Sequence, residues 1–119
     1  MSWIHFVIDL LSKPISPKNS KKTSTKKSIT SLFEICKAPC TPIIAYIPNS
    51  PFLYPIKDVK AYKRHLKEIS IQYGIEFIDG EDVIDKNDLN NYSPKGQHLS
   101  ISGYKKMATY ISAKLRKYN

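Results

Sequence analysis

The sequence predicts an α/β fold with about two parallel strands and flanking helices, on three observations. Ile43, Ile44, Ala45, Tyr46 and Ile47 form an unbroken β-prone apolar run between Pro42 and Pro48, the pattern of a strand buried on both faces. Val59, Tyr62, Leu66, Ile69 and Tyr73 then recur at three- and four-residue spacing, the stripe of a one-sided helix. A second short apolar run, Ile75 to Ile78, follows. Strand, helix and strand in that order require a crossover, and so a parallel pair. A two-stranded parallel sheet is poorly protected, so something is expected to be missing from its edge. At 119 residues and 41% hydrophobic content the chain can bury one core and no more.

Taken in order, Trp3, Phe6, Val7, Leu10 and Leu11 line one face of a short helix ended by Pro14. That stretch contains His5 and Asp9 and has no basic residue ahead of it, so it reads neither as a signal peptide nor as a membrane span, with a cytoplasmic protein as the default. Ser12 to Ser28 holds Lys13, Lys18, Lys21, Lys22, Lys26 and Lys27 among Ser, Thr, Pro and Asn, and reads as a solvated linker or long loop. Residues 1–28 are therefore expected to be an N-terminal helix and Lys-rich linker, and 29–119 the folded part. Ser28 or Thr30 can cap a helix that turns Ile29, Leu32, Phe33 and Ile35 inward and ends by Pro39. After the first strand, Asn49 to Pro55 is a proline-punctuated loop, Asp58 is placed to cap the next helix, and Gly74 to stop it. Asp79-Gly80 breaks the second strand, and Glu81 to Asn91 is polar with room for one helical turn at Val83 and Ile84. Ser100 caps a last helix lined by Tyr104, Met107, Ala108, Ile111 and Leu115, with Lys114, Arg116 and Lys117 complementing its C-terminal dipole.

The formal charge of +9 suggests a nucleic-acid or membrane-surface protein. Yet the lysine stretch has no interleaved aromatic residue to stack on bases, and no nucleic-acid fold motif accompanies it, so no specific nucleic-acid site is expected. Cys36 and Cys40 alone cannot complete a four-ligand zinc site, and His5 and His65 stand at no zinc-finger spacing from them. Both cysteines read as small, partly buried thiols in a reduced compartment. No metal or cofactor is expected.

The segment Asn-Tyr-Ser-Pro-Lys-Gly-Gln-His-Leu-Ser-Ile-Ser-Gly-Tyr-Lys-Lys-Met-Ala, residues 91–108, carries the chemistry. A histidine in a loop directly before a capped helix is placed for general-base work. The segment resembles the last block of SGNH (GDSL-type) hydrolases, in which a loop delivers the catalytic histidine, a Leu-Ser pair follows, then Gly-Tyr, then Ala in the closing helix. Those positions are His98, Leu99, Ser100, Gly103, Tyr104 and Ala108. The strand Ile43 to Ile47 running into Pro48-Asn49, the helix from Asp58, and Ile75 to Asp79 are similar to the family's preceding elements, so the resemblance covers roughly Ser28 to Leu115.

The resemblance implies a partial three-layer, flavodoxin-like fold and a serine ester hydrolase or acyl-transfer site in which His98 is the catalytic base. It also exposes two departures. The orienting acid usual two or three residues before the histidine is replaced by Gly96 and Lys95; Asp85 or Asp88 could substitute, or His98 could work without an acid. The Gly-Asp-Ser nucleophile block and the family's oxyanion blocks do not occur, and Asn49, in its Pro-Asn-Ser setting, reads as a loop residue. The expectation is a truncated fragment, inactive alone, with Met1 to Lys37 matching helices between the family's asparagine block and its penultimate strand. Its partners would be the missing N-terminal half or a second copy of itself, and an acylated small molecule, glycan or lipid if active. The alternatives are a small basic protein that contacts nucleic acid or anionic surfaces through Lys13 to Lys27 with Lys57, Lys60, Lys63 and Arg64, and a remnant without function. If an ester is cleaved by the chain alone, Ser50 or Cys40 is the expected hidden nucleophile.

Overall fold

The computed structural model describes residues 5–8, 19–52 and 59–118, with side chains from 25 onward in the first helix and none in 5–8. Trp3, Leu10, Leu11, Pro14, the linker residues 12–18 and Asp58 lie outside the described residues. The elements are β1 (His5–Ile8), α1 (Asn19–Ile35), β2 (Thr41–Tyr46), α2 (Val59–Tyr73), β3 (Glu76–Asp79) and α3 (Ile101–Leu115), with short 3-10 turns at Gly80–Asp82, Leu89–Asn91 and Arg116–Tyr118.

The strands form one sheet in the order β1-β2-β3. Both pairings are parallel: Val7 stands opposite Ile43, and Ile44 opposite Phe77. The β2–β3 pair with α2 against it is the arrangement the apolar runs predict. The first segment is a correction, because His5–Ile8 is a strand and not part of a helix. Phe6, Val7 and Ile8 are β-prone, and an apolar run this short fits either periodicity; pairing with β2 selects the extended form.

Residues 43–46 of β2 are buried without a break, their side chains pointing alternately to the two faces, as a parallel sheet covered on both sides requires. Ile44 and Tyr46 pack with Ile29 of α1 and with Leu66 and Ile69 of α2. Ile43 and Ala45, joined by Ile78, face Tyr110, Ile111 and Leu115 of α3 and Tyr118 beyond it. The result is three layers, with α1 and α2 on one face of the sheet and α3 on the other.

Helix α1 departs most from expectation. It begins at Asn19, ahead of Ser28 and Thr30, so the last part of the lysine stretch is helical and not a loop. Low burial capacity and weak propensity argue against a helix over Asn19 to Ser28, but this segment is continuous with a C-terminal half that is packed through Ile29 and Phe33. Ile35 is also corrected: it is 73% exposed, because the inward face runs through Ile29, Phe33 and Cys36 and places residue 35 off that stripe. Cys36 and Cys40 are joined by a disulfide across a Cα separation of 5.2 Å, so they are not the free thiols expected. The short turn between α1 and β2, through the cis Ala38-Pro39 bond, brings them within bridging reach.

Helix α2 ends at Gly74, whose φ of 64° is the left-handed stop that glycine adopts without penalty. Ser100 caps α3 as expected, its hydroxyl accepting from the Gly103 N–H. Of the predicted α3 stripe, Met107, Ile111 and Leu115 pack inward, and the stripe fails at its other two positions. Gly103 and Met107 are buried, whereas Tyr104 is half exposed and Ala108 exposed. Among the described residues, no helix is long and apolar enough to cross a membrane.

Candidate active site

A small closed loop holds His98. Tyr92 and Leu99 form an isolated antiparallel bridge, and the Ser93 N–H donates to the His98 carbonyl at 2.9 Å. Ser93 Oγ donates to the Lys95 carbonyl at 2.8 Å, and Gly96, at φ 91°, turns the chain back. Tyr92 and Leu99 are both 4% exposed, so the two ends of the loop are anchored in a cluster with Ile84 and Met107. His98 itself, one residue from that anchor, is exposed.

The loop is clamped to the segment leaving β2. The Ser50 N–H donates to the Gln97 carbonyl at 3.2 Å, and Asn49 Nδ2 to Gln97 Oε1 at 3.4 Å. Since Pro48 to Ser50 follow the last residues of β2, Gln97 and His98 lie beside the C-terminal end of a parallel strand, where open α/β sheets keep their sites. Asn49 is a loop residue, as expected, and it contacts the residue next to His98. The signal available in the sequence was a polar Asn-Ser pair directly after a buried strand.

Behind the loop, Asn91 is fully buried and ties three segments together. Its Nδ2 donates to the Asp85 carbonyl at 3.0 Å, its Oδ1 accepts from Lys106 Nζ at 2.6 Å, and its carbonyl accepts the Ser100 N–H at 2.9 Å. Asp85 and Asp88, the candidate orienting acids, are used locally: each caps its own turn, accepting from the Asn87 and Asn90 N–H groups. No described carboxylate is hydrogen-bonded to the His98 ring.

A charged cluster occupies the end of β3. Lys63 Nζ of α2 donates to Asp79 and Glu81, at 2.9 Å each, and Lys86 reaches Glu81 at 3.0 Å. Burial pushes the Glu81 carboxyl up, but hydrogen bonds from Lys63 and Lys86 outweigh it and hold the group below its ordinary range. Lys63 also sits 5.6 Å from the Tyr46 ring centre. The Tyr46 phenol is raised well above its usual value by burial and then by Glu81 and Asp79. Tyr92 is pushed up to about 12 by burial, then by Glu81 and Asp85, and its ring meets Phe52 edge-on at 6.2 Å. Lys63 is therefore committed to an ion-pair network, and among the described residues grouped with it as phosphate contacts it is the one with defined acidic partners.

The hidden nucleophiles considered from sequence are not brought to His98 in reactive form. Ser50 is 2% exposed, with its Oγ facing the Phe52 N–H at 3.4 Å, and Cys40 is held in the disulfide. Ser100 is occupied as the α3 cap. Among the described residues no group of His, Cys, Asp or Glu is arranged to hold a metal ion. Compared with known proteins, the chain matches no family model, no curated protein and no solved structure.

Proposed function

We propose that this chain supplies the histidine-bearing part of an SGNH-type ester hydrolase site, with His98 as the general base. The observation that carries the reading is the Gln97 clamp, which holds the His98 loop against the residues leaving β2 while Leu99 and Tyr92 fasten its base. An exposed imidazole on a rigid loop at the C-terminal edge of a parallel sheet suits proton transfer to and from a bound substrate. Among the described residues β1 pairs on one side alone, with β2, which also suits a sheet that continues into further strands.

In the proposed reaction a serine hydroxyl attacks the carbonyl carbon of a carbohydrate or lipid ester, and His98 takes the hydroxyl proton. The proton passes to the departing alcohol, and water then releases the acyl group by the same route. That serine is not in a Gly-Asp-Ser block among these 119 residues, so the reading assigns it to polypeptide outside them. With Asp85 and Asp88 engaged in their own turns, His98 is read as working without an orienting carboxylate.

Aryl-ester hydrolysis tests the reading in two arms. The purified chain is expected to give no turnover above buffer. Joined to or mixed with a Gly-Asp-Ser-bearing N-terminal half, it is expected to turn over, with His98→Ala lowering the rate about a hundredfold or more. Turnover by the chain alone that is lost in His98→Ala would place the nucleophile within these residues. Turnover in the assembled protein unaffected by His98→Ala would refute the role of His98.

A further inference from the structure

The first half of α1 has a composition unusual for a helix of a folded domain. Asn19 to Ser28 contains Lys21, Lys22, Lys26 and Lys27, no acidic residue and no apolar residue, yet it is helical. Of the helix side chains described, from residue 25 onward, the first that is buried is Ile29. Lys26, Lys27 and Ser28 are exposed, and no described carboxylate forms an ion pair with Lys26 or Lys27. The one acid in the helix, Glu34, is seven residues past Lys27, beyond the three- or four-residue spacing at which side chains meet. The first turn has no acid to match its dipole, so each lysine there opposes the positive end of the helix.

We propose that this half of α1 is a docking surface for the phosphodiester backbone of nucleic acid, bound without sequence preference. Charge complementarity selects the occupant. A polyanion relieves the lysine–lysine repulsion and the unmatched helix dipole together, in a chain whose formal charge is +9. A membrane surface is the poorer fit. An interfacial helix needs an apolar face to bury, residues 19–28 have none, and Ile29 and Phe33 are already packed against the sheet and α2. The absence of aromatic residues from 19–28 removes base stacking, which limits recognition to phosphates. This surface is independent of His98, so either reading can fail without the other.

Fluorescence anisotropy with two labelled duplexes of unrelated sequence, across a salt titration, provides the test. Both duplexes are expected to bind alike, with micromolar or weaker affinity at physiological salt and steep weakening as salt rises. Changing Lys21, Lys22, Lys26 and Lys27 to Gln should reduce the slope of log K against log salt by about three, and changing the same four to Arg should preserve it. Circular dichroism of both variants checks that the fold persists. No binding at low salt, an unchanged slope in the Gln variant, a sequence preference above tenfold, or tighter binding to phosphatidylserine vesicles than to the duplexes at equal salt would each overturn the proposal.

Discussion

Gly103 of α3 lies so close to Asn91 that a Cβ at that position would overlap the Asn91 carbonyl oxygen and stand 3.1 Å from Leu99 Cβ. The contact sets the distance between the closing helix and the turn beneath the His98 loop. Alanine would gain about 1 kcal/mol of helix propensity over glycine. The obstructing atom is backbone and cannot rotate away, so overpacking, commonly about 1–3 kcal/mol, should win. Gly103→Ala is expected to lower the urea midpoint, with exposed Ser112→Ala as a neutral control.

Ser100 does two jobs at the start of α3, accepting from the Gly103 N–H at 3.1 Å and donating to the Asn90 carbonyl. Ser100→Ala should cost about 1–2 kcal/mol from the lost cap and the unpaired carbonyl. Ser100→Asp should recover part of this, since a carboxylate can cap but cannot donate to Asn90. Thermal denaturation of the two variants side by side checks the order.

Lys63 binds α2 to the end of β3 through Asp79 and Glu81. Lys63→Met should destabilise by about 1 kcal/mol, because Asp79 loses its cation and Glu81 keeps Lys86 alone. Chemical denaturation near neutral pH measures it, and a variant as stable as the parent would show that the pair contributes nothing.

Acid should unfold the protein through Glu81 and Glu76. Burial raises Glu76, but the Tyr118 hydroxyl and Lys117 outweigh it and leave its carboxyl lowered, as Lys63 and Lys86 do for Glu81. A carboxyl lowered in the folded state adds stability above its unfolded value of about 4.3, and that stability is lost as pH falls through the folded value. Stability should thus be flat above about pH 5 and decline below about pH 4. Glu76→Gln and Glu81→Gln together should flatten the acid limb.

Reducing the Cys36–Cys40 bridge opens a loop with a sequence separation of four. The chain-entropy argument gives about 2 kcal/mol for so short a loop. A denaturant midpoint that falls on adding reductant in the parent, but not in a Cys36→Ser, Cys40→Ser variant, is the expected result.

Local pattern alone carried a large part of this fold. The Ile43–Ile47 run, the Leu66–Ile69 stripe, the Gly74 stop and the Ser100 cap each depend on residues a few positions apart, and their physics is complete within that span. The parallel pairing of β2 with β3 followed, because a strand, helix and strand can close in few ways. Tertiary contacts decided the rest. Pairing with β2 made His5–Ile8 a strand, the close approach of α3 to Asn91 buried Gly103 while Tyr104 and Ala108 stayed outside, and the turn between α1 and β2 brought Cys36 to Cys40. His98 stood out as a candidate from its Gly-Gln-His-Leu-Ser setting before a capped helix, but the contacts that hold its loop did not, because they are hydrogen bonds from Asn49 and Ser50 to Gln97, 48 positions apart for Asn49, and no local periodicity encodes a contact at that distance.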